Sequence, residues 1–472
     1  MIFTELRFLF FFALVFVIHW LLRAGSSRKI WLLICSYVFY AAWDWRFLSL
    51  IVASTLFDYA IGRCLARYDD KDKVRKRLLI ASMIFNLGML GVFKYFNFFI
   101  DSAAGLLQFV GFSANLSTLQ IILPVGISFY TFQTMSYVID VYKRELEPRK
   151  SLLNVALFVG FFPQLVAGPI VRAVDFLPQL DTARLFKNVA WRSCIVLFVL
   201  GFIKKACVSD NLAMYVDLYF ADPHAYDAAS AFLGVLLYSI QIYCDFSGYS
   251  DMAIATAGML GYQFCINFSF PYFATSIQTF WHRWHISLST WLRDYLYITL
   301  GGSRGSKFFR YRNLMLTMLL GGLWHGAAWK FLVWGGLHGS ALVVHREWSQ
   351  RVSDVWRKNV IWKFVSIGMT FYWVSLAWIF FRAESFSDAV FISQNFLGFS
   401  GWSNESLLAL SNRLWVVIGV LFVLHLISST EIIQKSAQKC PRWAFATILG
   451  ASIAVISSLM STEVSPFIYF QF

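Results

Sequence analysis

Thr279-Phe280-Trp281-His282-Arg283-Trp284-His285-Ile286-Ser287-Leu288-Ser289 opens the stretch around which this chain is organised, and that stretch runs on to Gly339. Over Trp281–Ile298, helical spacing puts Trp281, Trp284, Leu288, Trp291, Leu292 and Tyr295 on one stripe. His282, His285, Ser289, Arg293 and Asp294 fall beside or opposite it. The pattern predicts an amphipathic helix lying in a membrane interface, rings down and charges up. A glycine-basic loop follows, Gly301-Gly302-Ser303-Arg304-Gly305-Ser306-Lys307. Leu314–Val344 is then apolar apart from Thr317, Ser340, His325, Lys330 and His338.

That run is longer than the roughly 20 residues one membrane span needs. The pairs Gly321-Gly322 and Gly335-Gly336 are the expected places for it to break. His325 lies 13 residues past Arg312, about 19 Å along a helix, which places it near mid-membrane. An ionisable group in hydrocarbon is costly, so it should line a cavity or pathway. The plainer reading is a neutral imidazole that packs and hydrogen-bonds to a neighbouring helix. Two features favour function: the small residues in Gly321-Gly322-Leu323-Trp324-His325-Gly326, and a second neutral-pH proton acceptor, His285, 40 residues earlier. Spacing alone does not bring the two histidines together.

Composition sets the class. Of 472 residues, 58% are hydrophobic and 14% charged, with a mean hydropathy of +0.61, whereas soluble domains carry about 25% charge. Apolar runs separated by short basic loops predict an all-α, polytopic integral membrane protein with about 11–12 membrane segments, re-entrant and in-plane helices among them. A β-barrel would alternate apolar and polar residues, and these runs do not. The net charge of +14 is scattered among juxtamembrane loops, which fits the positive-inside rule and lipid headgroups and argues against nucleic acid. The seven cysteines are isolated and suggest neither a disulfide framework nor a zinc site. Phe8–Leu22 has no small-residue cleavage site and is expected to remain as a first span. With no repeat, linker or soluble domain visible, residues 1–472 are expected to form one membrane domain.

Elsewhere, the aromatic knot Tyr37–Trp45 marks the end of one span and the start of the next. Arg63–Arg77 carries seven bases against three aspartates and should be cytoplasmic; Asp101–Ser117 has few charges and should be periplasmic. Two prolines, Pro163 and Pro169, predict a buried re-entrant segment in Leu152–Pro178. Lys204-Lys205 looks like a cytoplasmic anchor. Asp245 and Asp251, six residues apart in an apolar stretch, demand partners, and the bases of Arg283–Arg293 are the candidates. An internal ion pair is the structural reading; two carboxylates are a weak metal signal. His282 and His285 have a metal-like spacing without a third ligand, so no metal is expected.

Phe280–Ser289, Trp291-Leu292-Arg293-Asp294-Tyr295 and Gly322-Leu323-Trp324-His325-Gly326-Ala327 together resemble the signature of the membrane-bound O-acyltransferase family. The likeness is to its bacterial branch, which acetylates exopolysaccharides such as alginate. It extends through Ser36–Tyr40, Lys94–Asn97, Leu123–Phe129, Ala167–Ile170, Gly201–Lys205 and Asp245–Asp251, and reappears in Pro466-Phe467-Ile468-Tyr469-Phe470. The resemblance implies O-acyl transfer with His325 and His285 as catalytic residues. It also implies an acetyl donor on the cytoplasmic side, acetyl-CoA being expected, a multi-pass location in the bacterial inner membrane, periplasmic glycan-acetylation proteins as partners, and a polysaccharide acceptor. Cellulose, peptidoglycan and D-alanyl transfer toward teichoic acid are the neighbouring activities of the family.

The residues agree with that chemistry. Acyl transfer to a hydroxyl needs a base, and imidazole titrates near working pH; His325 is assigned that part. His285 has three open roles: orienting the acceptor hydroxyl, sharing its proton, or polarising the acyl carbonyl. Trp324, Arg283, Trp284, Ser289, Arg293, Asp294, Asp245 and Asp251 are expected to support the site or its channel. Arg304 and Lys307 offer phosphate contacts to a coenzyme A donor, or simply a basic turn. No nucleophile elbow supports a serine acyl-enzyme. A different class, a proton-coupled transporter with Asp245, Asp251 and His325 as relay, lacks the duplicated halves common in such folds.

Overall fold

The structure, a computed structural model, describes residues 2–112, 118, 122–352, 359–398, 408–430, 432–461 and 466–468. Tyr469 and Phe470 of the C-terminal motif, and residues 113–117 of the expected periplasmic segment, lie outside the described residues. Every regular element described is helical. Five helical stretches are long and apolar enough to cross a membrane: Ser26–Arg67, Asp72–Phe109, Ala228–Met259, Val360–Arg382 and Arg442–Leu459. Leu6–Leu21 and Leu414–Ser429 are shorter apolar helices. The chain is a polytopic, all-α membrane protein.

Two compact units divide it, Met1–Ala190 with Ala253–Cys265, and Trp191–Met252 with Ile266–Phe472. In the first, the aromatic knot is a corner: the helix Ser26–Asp44 stops, the Asp44 carboxylate accepts the Arg46 N–H at 3.0 Å, and Leu48–Arg67 begins. The helix Ile127–Tyr142 is buried almost throughout and packs against Leu48–Arg67 and Asp72–Leu90. Its polar side chains meet a hydrogen-bonded set in which Asp58 accepts from Ser82 at 2.6 Å and from Asn86 at 2.8 Å. The proline-rich segment is broken and buried, with short helices Leu152–Gly160 and Phe162–Leu165.

In the second unit the long apolar run divides, but not at the glycine pairs. The helix Lys307–His325 ends on His325, Gly326 and Ala328 are extended, and Trp329–Arg351 returns. The glycines sit inside these helices because the two backbones touch there. A Cβ on Gly322 would strike the Phe331 carbonyl oxygen, and one on Gly335 the Met318 carbonyl oxygen. Small residues thus permit a crossing that larger ones would hold apart. His325 is placed by the end of one helix and the glycine contact with the next.

Candidate active site

Ser276 caps the short helix Ile277–Trp281 by accepting the Thr279 N–H at 3.1 Å. The single in-plane helix expected over Trp281–Ile298 does not form. The chain turns at His282–His285, resumes as Ile286–Trp291 and widens into a π-helical turn at Leu292–Tyr297. The break is at His285, whose φ of 43° and ψ of 54° lie in the left-handed region, a conformation uncommon for a residue with a Cβ. Backbone bonds from Ser269 N–H to the Arg283 carbonyl and from Ile286 N–H to the Asn267 carbonyl, both 2.9 Å, hold it on either side. Trp284, Leu288, Trp291, Leu292 and Tyr295 keep the buried stripe. His285 leaves the polar side assigned to it and is fully buried.

The turn brings the two histidines together. Their ring centroids are 6.3 Å apart. Phe246 meets His285 edge-on at 4.6 Å, and Trp324 lies 6.0 Å from His285 and 5.0 Å from His325. Trp334 and Phe381 complete the surroundings of His325 at 5.0 and 5.4 Å. Asn267 Oδ1 lies 3.2 Å from His285 Nδ1; sequence reasoning missed this residue, which only the left-handed turn brings alongside.

His325, buried to 4% exposure, lines a cavity of about 820 Å³ together with Trp334, Met318 and Gly321. The same cavity is lined by His282, Ser289, Arg293 and Ser303, of which His282, Arg293 and Ser303 are exposed. It therefore joins exposed polar and charged side chains to a buried imidazole. Arg346, in the last turns of the Trp329–Arg351 helix, also lines it and was not expected; nothing in the local sequence distinguishes it from other bases near a helix end.

The remaining expected residues fall into three groups. Ser289 and Arg293 line the cavity, with Arg293 paired to Asp294 at 2.6 and 3.0 Å. Trp284 and Trp324 are buried packing rings, Trp284 against Trp378 at 4.9 Å, and Arg283 reaches the Phe273 carbonyl at 3.5 Å. Neither Arg304 nor Lys307 is among the residues lining the cavity, and Lys307 pairs with Glu347 at 3.3 Å. Asp245 and Asp251 do not pair with Arg283–Arg293 and do not line the cavity. Asp245 is bound by Lys205 at 2.6 Å and Asp251 by Lys204 at 2.7 Å. Lys205 is consequently fully buried, not a surface anchor. The wide π-helical turn Ile203–Ser209 presents both lysines to the helix that carries the two aspartates.

The chain is thus a helical membrane protein in which two buried histidines lie 6.3 Å apart, one of them on the wall of a cavity that Arg293 and Arg346 also line. Residues 41–383 match the membrane-bound O-acyltransferase family, and the chain belongs to that family: it is an acyltransferase. It is 42% identical to a probable alginate O-acetylase of Azotobacter vinelandii, over 86% of this chain and 80% of that protein. It is 38% identical to one of Pseudomonas putida over the full length of both. A peptidoglycan O-acetyltransferase of Helicobacter pylori is 37% identical over 85% of this chain and 81% of its own.

Proposed function

We propose that the protein is an O-acetyltransferase of the bacterial inner membrane that takes acetyl groups from acetyl-CoA and delivers them for O-acetylation of an extracellular polysaccharide of the alginate type. The observation that carries this reading is the buried His325 at the wall of a large, basic-rimmed cavity in a chain similar over most of its length to alginate O-acetylases. His325 takes the proton of an acceptor hydroxyl as its oxygen attacks the thioester carbonyl. The carbon–sulfur bond then breaks, and the imidazolium returns the proton to the departing thiolate. Arg346 and Arg293 at the cavity supply positive charge for the donor's phosphates. Periplasmic glycan-acetylation proteins complete the transfer to sugar. The likeness to a peptidoglycan O-acetyltransferase makes peptidoglycan the second acceptor to try. A teichoic acid D-alanyltransferase of Streptococcus thermophilus is only 28% identical, over 49% of this chain, which favours acetyl over D-alanyl transfer.

The test uses purified protein in nanodiscs with radiolabelled acetyl-CoA. His325→Ala should lower acetyl transfer or thioester cleavage at least ~100-fold with folding intact, as loss of a general base does. Unchanged turnover in that variant removes His325 from the chemistry.

A further inference from the structure

His285 is the group whose part the sequence leaves open, and its neighbours restrict it. The Ser287 backbone N–H points at Asn267 Oδ1, 3.2 Å away. A backbone amide can only donate, so this atom of the Asn267 side chain is the carbonyl oxygen and its other end is the amide. The amide in turn donates to Ser250 Oγ at 3.0 Å. The Ser287 hydroxyl also donates to Asn267 Oδ1, at 2.9 Å, so its hydrogen is engaged and it faces His285 Nδ1 with a lone pair, at 3.5 Å. His285 Nδ1 thus meets two oxygens, one at 3.2 and one at 3.5 Å, each an acceptor toward it. Only a protonated Nδ1 satisfies that arrangement. In the neutral ring Nε2 then carries the lone pair.

We propose that Asn267, supported by Ser250 and Ser287, is a positioning residue that holds His285 as its Nδ1–H tautomer and so makes His285 a hydrogen-bond acceptor beside His325. Asn267, Ser250, Ser287 and His285 are all at most 2% exposed, so no bulk water competes for these bonds. The Asn267 carbonyl also accepts the Ile286 N–H at 2.9 Å, fixing the backbone on the far side of the strained His285. Of the three roles open to His285, the tautomer selects among them. A bare Nε2 takes the hydrogen of a hydroxyl or of the partner imidazole; it does not donate to the oxyanion of an acyl carbonyl. The catalytic part of this inference rests on the transferase reading; the tautomer itself does not.

The experiment is nitrogen NMR on the full-length protein in nanodiscs with labelled histidine, in which a protonated and a bare imidazole nitrogen resonate far apart. A His285→Gln variant identifies the His285 signals. The wild type should show Nδ1 protonated, and an Nε2–H ring would overturn the proposal whatever any variant does. Asn267→Asp, which keeps an acceptor, should retain the signal and stay within a few-fold of wild-type kcat. Asn267→Leu should lose it and reduce kcat about 10- to 100-fold with donor KM little changed, by analogy with the cost of removing the outer hydrogen bond to a metal-ligating histidine. Folded Asn267→Leu with the Nδ1–H signal and full kcat would also overturn it. If instead the signals behave as stated but His325→Ala still turns over, the transferase mechanism fails and the tautomer assignment stands.

Discussion

Arg346 is the residue at which a phosphate-bearing donor should be felt. Arg293 shares the cavity, but its guanidinium is already engaged by Asp294 in two bonds. Arg346 forms no ion pair among the described residues. A charge-assisted bond is worth about 1.5–3 kcal/mol, so Arg346→Gln should raise the KM for acetyl-CoA about tenfold or more while kcat changes little. Arg304→Gln and Lys307→Gln, away from the cavity, should leave both unchanged. Steady-state kinetics with acetyl-CoA on the three variants measures this, and an unchanged KM in Arg346→Gln would place the phosphate contacts elsewhere. His325 stood out in the sequence because an ionisable residue in an apolar run is costly and the small residues of Gly321-Gly322-Leu323-Trp324-His325-Gly326 surround it. Arg346 did not, since a base near the end of a helix is ordinary until the fold turns it into a cavity.

At the scale of elements, the glycine pairs were visible and their meaning was not. Gly-Gly within an apolar run predicts a break, because glycine is the weakest ordinary helix former. Here the helices Lys307–His325 and Trp329–Arg351 run through the pairs, and the contact between them needs atoms to be missing. Gly322→Ala and Gly335→Ala each press a methyl against a carbonyl of the facing helix, with no flexible side chain to move aside. Overpacking of this kind costs about 1–3 kcal/mol or more. Gly336→Ala is the control, since its Cβ would meet only the end of Leu319 at 3.7 Å. Thermal unfolding in one detergent should show clear losses for the first two and little change for the third; equal midpoints would mean that the crossing is not glycine-limited. The in-plane segment repeats the lesson. Its apolar stripe obeys helical periodicity, yet the left-handed His285 interrupts the helix, and backbone hydrogen bonds to Asn267 and Ser269 in the loop before it decide that.

At the scale of the molecule, the class and the family were legible. Hydropathy reports the bilayer directly, and the motifs extend over the region 41–383 that matches the family. Charge pairing was not legible, because periodicity says which residues share a face and not which face of another helix they meet. Lys205 shows what depends on it. It is 0% exposed and binds Asp245 at 2.6 Å and Asp210 at 2.7 Å, while the other Asp245 oxygen accepts the Ile468 N–H at 2.9 Å. The cluster therefore ties the Ala228–Met259 helix to Ile203–Ala221 and to the chain's end. Lys205→Met leaves two carboxylates buried without their cation. Removing one partner of a buried pair costs about 3–5 kcal/mol, whereas replacing the set by apolar groups is often neutral. Lys205→Met should therefore unfold at markedly lower temperature than wild type, and Lys205→Met with Asp210→Leu and Asp245→Leu should recover most of the loss. Asp245→Leu in that background also removes the acceptor for Ile468, so limited proteolysis of the C-terminal end should stay faster than in wild type even where the midpoint is restored. If the single variant unfolds with the wild type, the lysine does not neutralise the aspartates and the cluster does not hold this part of the chain together.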